Sequence, residues 1–253
     1  MSGHSKWSTI KRAKGAADIK RGQTFTKVAN AIAMAARAGN SGNPDDNPRL
    51  RMIMEEAKSV NMPKENVQRA IDRGLGKLPG QTLEEVLYEG FGPEGTAFII
   101  EAVTDNKMRT LQEMKNIFDR SGGSLAGQGA VAYMFEKKGE IKVVSKEGDK
   151  DDEMLELIDL GAEDVEEFSE DNQQRYLVST ESSELNTMGN KITQVGYRVE
   201  SQQLVMKPTV LKEVTDASSA KKVLDFASRI EELDDVQKVY ANFDIPDEIV
   251  GQI

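Results

Sequence analysis

The order of apolar periods in the second half of this chain narrows its fold more than any other feature. From Glu140 the pattern gives a strand at Ile141–Val144, a helix at Asp151–Leu160 and strands at Val165–Phe168 and Tyr176–Ser179. A helix at Ser183–Val195 and a strand at Tyr197–Val205 follow. That order, βαββαβ, is the split βαβ or ferredoxin-like unit. With this block set aside, the flanking segments spell the same order: strand 97–103, helix 107–120, strand 131–135, then strand 209–214, helix 217–232 and strand 236–243. The economical architecture is one ferredoxin-like domain (137–206) inserted in another (81–136 plus 207–253), within the α+β class.

The first 80 residues read differently. Thr24 can cap a helix from Phe25 to Ala38 that ends at Gly39, with Phe25, Val28, Ile32 and Ala35 on one face. Asn47-Pro48 supplies an N-cap and an N1 proline for a second helix to about Val60. Pro63 opens a third, with Val67, Ala70 and Ile71 inward and Gly74 stopping it. Residues 1–80 are therefore expected to form a basic arm and a three-helix bundle, with Gly74–Gly80 as the linker out of it.

Charge divides along the same line. The chain of 253 residues carries a formal net charge of −10, which by itself argues against a polyanionic partner. Residues 1–80, however, hold 15 Lys+Arg against 7 Asp+Glu, a net of +8, and residues 81–253 carry −18. Such asymmetry points to a polyanion-binding segment joined to a solubilising body; a lysine-rich solvated face is the competing reading. The arm places Trp7 amid Lys6, Lys11, Arg12 and Lys14. Basic side chains neutralise phosphates and release counterions, and an indole can stack on an unpaired base or simply pack on the bundle. Lys20, Arg21, Lys27 and Arg37 continue the basic run. Arg49 and Arg51 on the second helix, and Lys64, Arg69 and Arg73 on the third, extend it, with surface ion pairs as the alternative use of the same groups. No helix-turn-helix signature with base-reading Arg, Asn or Gln pairs is recognisable.

Several chemistries are excluded. The chain has no cysteine and a single histidine, His4, which removes disulfides, thiolate metal sites, cysteine nucleophiles and multi-histidine metal centres. Gly90–Gly95 leads into a strand, whereas a dinucleotide loop leaves one, and no P-loop triplet exists. Asp149–Glu153 lacks the EF-hand glycine and glutamate and reads as a helix N-terminus. No apolar run is long enough to cross a membrane. The expectation is a cytoplasmic, non-enzymatic protein with no cofactor, favoured as a monomer.

The opening Met1–Trp7, with Ile10-Lys11, Lys14, Asp18, Arg21-Gly22, Phe25 and Lys27, resembles the YebC/PmpR family. The likeness runs on through Asn47-Pro48-Arg49-Leu50-Arg51, Asn61-Met62-Pro63-Lys64, Arg69-Ala70-Ile71, Tyr88-Glu89-Gly90 and Thr104-Asp105-Asn106, and covers essentially the whole chain. Met108 stands where that family leads one to expect a second asparagine. The resemblance implies the nested three-domain fold and a regulator that binds DNA to control transcription. It implies as the alternative a translation factor, akin to mitochondrial translational activators, that meets ribosomal RNA or tRNA on the ribosome. A basic arm serves DNA and ribosomal RNA phosphates alike.

Overall fold

The structure, a computed structural model, describes residues 19–78, 83–170 and 172–251. Three helices come first: α1 (Ile19–Ala38), α2 (Pro48–Ser59) and α3 (Lys64–Gly74). Their shared core is Val28, Ile32, Ala35 and Ala36 of α1 against Leu50 and Ala57 of α2 and Ala70 and Ile71 of α3. Asn47 caps α2 as its sequence dictates, its Oδ1 accepting from the Leu50 N–H at 3.0 Å. Its amide Nδ2 also donates to the Ala35 carbonyl at 2.8 Å, so one residue both starts α2 and pins it to α1.

Two expectations for this unit are corrected. No helix starts under a Thr24 cap, because α1 is already helical at Ile19 and Gly22 lies inside it. Packing of α1 on two neighbours outweighs the glycine penalty of about 1 kcal/mol. Gly74 is the last residue of α3 rather than its breaker, and the chain reverses at Gly76, where φ is +69°. The role of Gly74 is proximity: a Cβ built on it would stand 2.2 Å from the Ala33 carbonyl oxygen of α1.

The remainder is two four-stranded antiparallel sheets and one short parallel strand pair. β1 (Glu84–Phe91), β2 (Ala97–Thr104), α4 (Lys107–Arg120) and the short β3 (Ser124–Ala126) begin the outer one. The chain then enters β4 (Phe135–Val144), α5 (Lys150–Asp159), β5 (Asp164–Glu170), β6 (Gln173–Glu181), α6 (Leu185–Gln194) and β7 (Arg198–Pro208). It returns through β8 (Lys212–Glu213), α7 (Ala217–Glu231), β9 (Val236–Ala241), β10 (Phe243–Asp244) and the single turn α8 (Asp247–Val250). The inserted sheet has the order β5-β6-β4-β7, the antiparallel arrangement that βαββαβ requires. Its core joins Ile141, Val143, Tyr176 and Val178 to Leu157 of α5 and Met188 and Ile192 of α6. Asp149 caps α5 by accepting from the Asp151 and Asp152 N–H groups, which accounts for the acidic run there.

The outer sheet has the order β3-β1-β2-β9, with α4 and α7 packed on one face through Phe98, Met114, Phe118, Phe226 and Val239. Phe226 stands edge-on to both Phe98 and Phe118 at 4.9 Å between centroids. The α+β class and the antiparallel sheets are as the sequence indicates, but the outer sheet is threaded differently. Its first strand is β1, which the sequence reading passed over because Glu84, Glu85 and Glu89 break the apolar run. Residues 131–135 form a short 3₁₀ turn (Ala132–Met134) before β4, and the segment 209–214 contributes only the two-residue β8, paired with β10 outside the four-stranded sheet. The back face of this sheet, at Ala97, Ile99 and Tyr240, is covered by Phe135 and Val205 from the ends of β4 and β7.

Gly74→Ala separates the two roles of that glycine. A helix interior gains about 1 kcal/mol from such a change, whereas an overpacked crossing loses about 1–3 kcal/mol. Urea unfolding is expected to show a loss.

Candidate nucleic-acid interface

The connection from α2 to α3 is four residues, Val60–Pro63, and Asn61 takes the left-handed conformation in it (φ +56°). Asn tolerates that region better than most side chains, which lets the chain turn sharply between two helices without glycine. Because Val67, Ala70 and Ile71 face the core, the opposite side of α3 is turned outward: Lys64, Glu65, Gln68 and Arg69 are exposed. Gln68 reaches only along its own helix, to Asp72 at 3.2 Å. Among the described residues neither Lys64 nor Arg69 forms an ion pair.

Other basic residues singled out by the sequence face the opposite way. Lys27 donates to the Glu231 carbonyl at the end of α7, beside Gln23, which donates to the Glu232 carbonyl at 3.0 Å. Arg37 donates to the Leu83 carbonyl at 2.5 Å, and Arg49 pairs with Glu85 at 2.9 Å. Arg73 donates to Asn30 Oδ1 at 3.3 Å and lies 3.7 Å from Asp105. Arg51 stays within the helical unit, donating to the Pro44 and Asp45 carbonyls, each at 3.0 Å. Lys6, Trp7, Lys11, Arg12 and Lys14 lie outside the described residues, as do the side chains of Lys20 and Arg21, whose backbone is on α1. The structure therefore leaves Lys64 and Arg69 exposed to solvent on α3, and turns Lys27, Arg37, Arg49 and Arg73 toward the body.

Between the helical unit and the outer sheet lies a cleft of about 510 Å³, lined by Gln23, Asn30, Arg73, Asp105, Arg109 and Asp235 among others. Its centre is a closed polar network. Asp235 accepts from Arg109 at 2.7 Å, from Thr110 at 2.6 Å and from Thr104 at 3.1 Å. The hydrogen bond and charge of Asp235, reinforced by Asp105 at 3.1 Å, raise the Arg109 pKa further. Asn106 caps α4 by accepting from the Arg109 N–H at 3.1 Å. Thr104-Asp105-Asn106 thus has a structural purpose, whereas Met108 is 72 % exposed and takes no part. The sequence reading missed Arg109, Thr110 and Asp235 because Asp235 is 125 residues from Thr110; the Thr-Asp-Asn run was the available signal.

A second anchored element is the loop from β3 to β4. Glu89 of β1 is 2 % exposed and accepts from the backbone N–H groups of Gly129 (2.7 Å), Val131 and Ala132 (2.9 Å each). Burial pushes its carboxyl up, but the three donors outweigh that and leave it below the usual carboxylate range. Just beyond these anchored amides Tyr133 is 71 % exposed.

Among the described residues no group of three or more acidic or histidine side chains is placed to hold a metal ion, and no helix is long and apolar enough to cross a membrane. Fold and site together define a three-part α+β protein in which a basic helical unit is docked on an acidic two-sheet body. Residues 5–77 match the profile described as the TACO1/YebC protein N-terminal domain, and residues 83–243 match the TACO1/YebC second and third domain. The chain belongs to the TACO1/YebC family. It is 47 % identical over 253 residues to a probable transcriptional regulatory protein of Fusobacterium nucleatum, with all of both chains covered. A protein of the same name from Persephonella marina is 43 % identical, again over the whole of both chains. The crystal structure of a conserved hypothetical protein from Aquifex aeolicus is 41 % identical with a TM-score of 0.79, covering 90 % of this chain and 92 % of that one.

Glu89→Gln leaves the loop amides with a weaker acceptor, and a loss of about 2 kcal/mol is expected. A depressed carboxyl stabilises the fold above its unfolded pKa of about 4.3, and that contribution is lost as pH falls through the lower folded value. The difference in stability between wild type and Glu89→Gln, measured in urea from pH 7 downward, is therefore expected to hold to about pH 5 and shrink below it.

Proposed function

We propose that the protein is a non-enzymatic, DNA-binding regulator of transcription that contacts the duplex with its helical unit. The observation that carries this is the exposed α3, delivered by a four-residue connection with a left-handed Asn61 and presenting Lys64, Gln68 and Arg69 outward. In helix-turn-helix proteins two helices joined by a short turn let the second enter the major groove with its N-terminal residues on base edges, a docking that an exposed α3 permits. Lys and Arg suit guanine edges or phosphates, and Gln suits adenine. The printed names of the relatives supply transcription as the process. The non-enzymatic part rests on the cleft, whose central side chains are satisfied by one another.

The test is fluorescence anisotropy with a promoter duplex, a scrambled duplex and a ribosomal RNA hairpin, each over a range of salt. Replacing Lys64 and Arg69 together by alanine is expected to weaken duplex binding about tenfold and to lower the log–log salt slope by about 2. Unchanged affinity and slope would remove α3 from the interface. Markedly tighter binding of the RNA hairpin would turn the same surface toward ribosomal RNA, the translational alternative.

A further inference from the structure

The docked face of the helical unit carries four basic side chains, Lys27, Arg37, Arg49 and Arg73, and every one of them meets an oxygen acceptor supplied by the body. Two acceptors are carboxylates, Glu85 and Asp105. Two are backbone carbonyls, Leu83 at the start of the outer sheet and Glu231 in the last turn of α7, the end of a helix that carries partial negative charge. Chemically these are stand-ins for phosphate oxygens, which Arg and Lys bind with the same donors.

The joint is built to part. Among the described residues its apolar cluster is small, Ala33 and Met34 against Leu83 and Val103, whereas the helical unit and the outer sheet each have a separate, larger core. The Arg49 and Glu85 side chains are 58 % and 53 % exposed, so their attraction is weak and screened by salt. One stretch of chain connects the two units, so parting them breaks no strand pairing.

We propose that the docked face is a second binding surface for a nucleic-acid sugar–phosphate backbone, its cations occupied by the body's carbonyls and carboxylates and released when phosphates displace them. It rests on the nucleic-acid reading given above and adds to it a competition: the body's anionic groups and the ligand's phosphates claim the same four cations. Binding begins on the outer face at Lys64 and Arg69 and gains the second set of contacts only as the helical unit swings away. The acidic body thereby sets a threshold that weak, scattered phosphate contacts do not cross.

The chain has no cysteine, so a dye pair can be placed cleanly at Ser59→Cys on α2 and Asn116→Cys on α4. Energy transfer between them is expected to fall as a duplex of about 20 base pairs is added, and to fall without ligand as salt is raised toward 1 M. Glu85→Gln/Asp105→Asn is expected to start with lower transfer. It should bind the duplex about fivefold tighter than Asp119→Asn/Asp225→Asn, which makes the same charge change away from the joint. Glu85→Gln alone, which leaves the Asp105 network intact, is expected to move both readouts the same way by a smaller amount. Transfer that stays constant at saturating duplex, or joint variants no tighter than the control pair, would overturn the second surface while leaving the outer-face reading to its own Lys64/Arg69 test. Failure of every form to bind duplex or RNA at low salt would overturn both.

Discussion

The pairing of β4 with β7 is the interaction on which the rest of the structure depends. Ten residues of β4 are matched antiparallel to β7, from Phe135 opposite Pro208 to Val144 opposite Arg198, with one register shift between Lys142 and Val143. These are the strands by which the chain enters and leaves the inserted sheet. Bringing their outer ends together closes a long excursion, and closure entropy grows only slowly with its length. Once Phe135 and Val205 both pack on the back of the outer sheet, β9 is positioned to complete that sheet beside β2 and α7 to cover its other face. Without this pairing the outer sheet lacks its fourth strand and half of its helical cover.

The opposition of charge between units is resolved differently on the two sides of that pairing. In the inserted sheet the acids are laced across strands. Lys138 contacts Glu163 and Glu181, at 3.0 and 2.6 Å, and Lys207 contacts Asp164 at 2.8 Å. Arg175, 7 % exposed along its side chain, pairs with Glu200 at 3.0 Å. Cross-strand pairs of this kind support register rather than supply much stability. At the joint with the helical unit the acids instead meet cations from a separately folded unit. The same charge chemistry therefore stiffens one part of the molecule and leaves the other responsive to ionic surroundings.

Much of this was legible in the sequence, for identifiable reasons. The inserted sheet declared itself because each of its elements has an apolar face of the right period. Asn47-Pro48 announced α2 because cap chemistry is local. β1 was hidden because Glu89 interrupts its apolar run, and the reason for a carboxylate there is a set of amides 40 to 43 residues away. α1 begins earlier than its cap signal suggests, and Gln23 in its second turn is tied to the Glu232 carbonyl, a partner that no local signal announces. The basic residues of the interface were visible as charge, and α3 was recognised as a helix carrying Lys64 and Arg69. That Arg49 and Arg73 reach the body follows from Glu85 and Asp105, whose proximity only the assembled fold creates. Asn61 is the subtlest case: its left-handed backbone gives the sharp turn before α3, and Asn-Met-Pro carries that signal only weakly.

The adjacency of β4 and β7 at their outer ends has a consequence for how such a chain can change over time. Everything from Ile141 to Gln202 hangs from two paired strands, so it can drift, lengthen or be exchanged as a cassette while the host keeps its form. The host meets it at Phe135 and Val205 on the back of the outer sheet, and through Lys238, which donates to Gln203 Oε1 and the Leu204 carbonyl. Substitutions in the hanging part are filtered by its own folding alone; those at the two attachment points are filtered by the whole molecule.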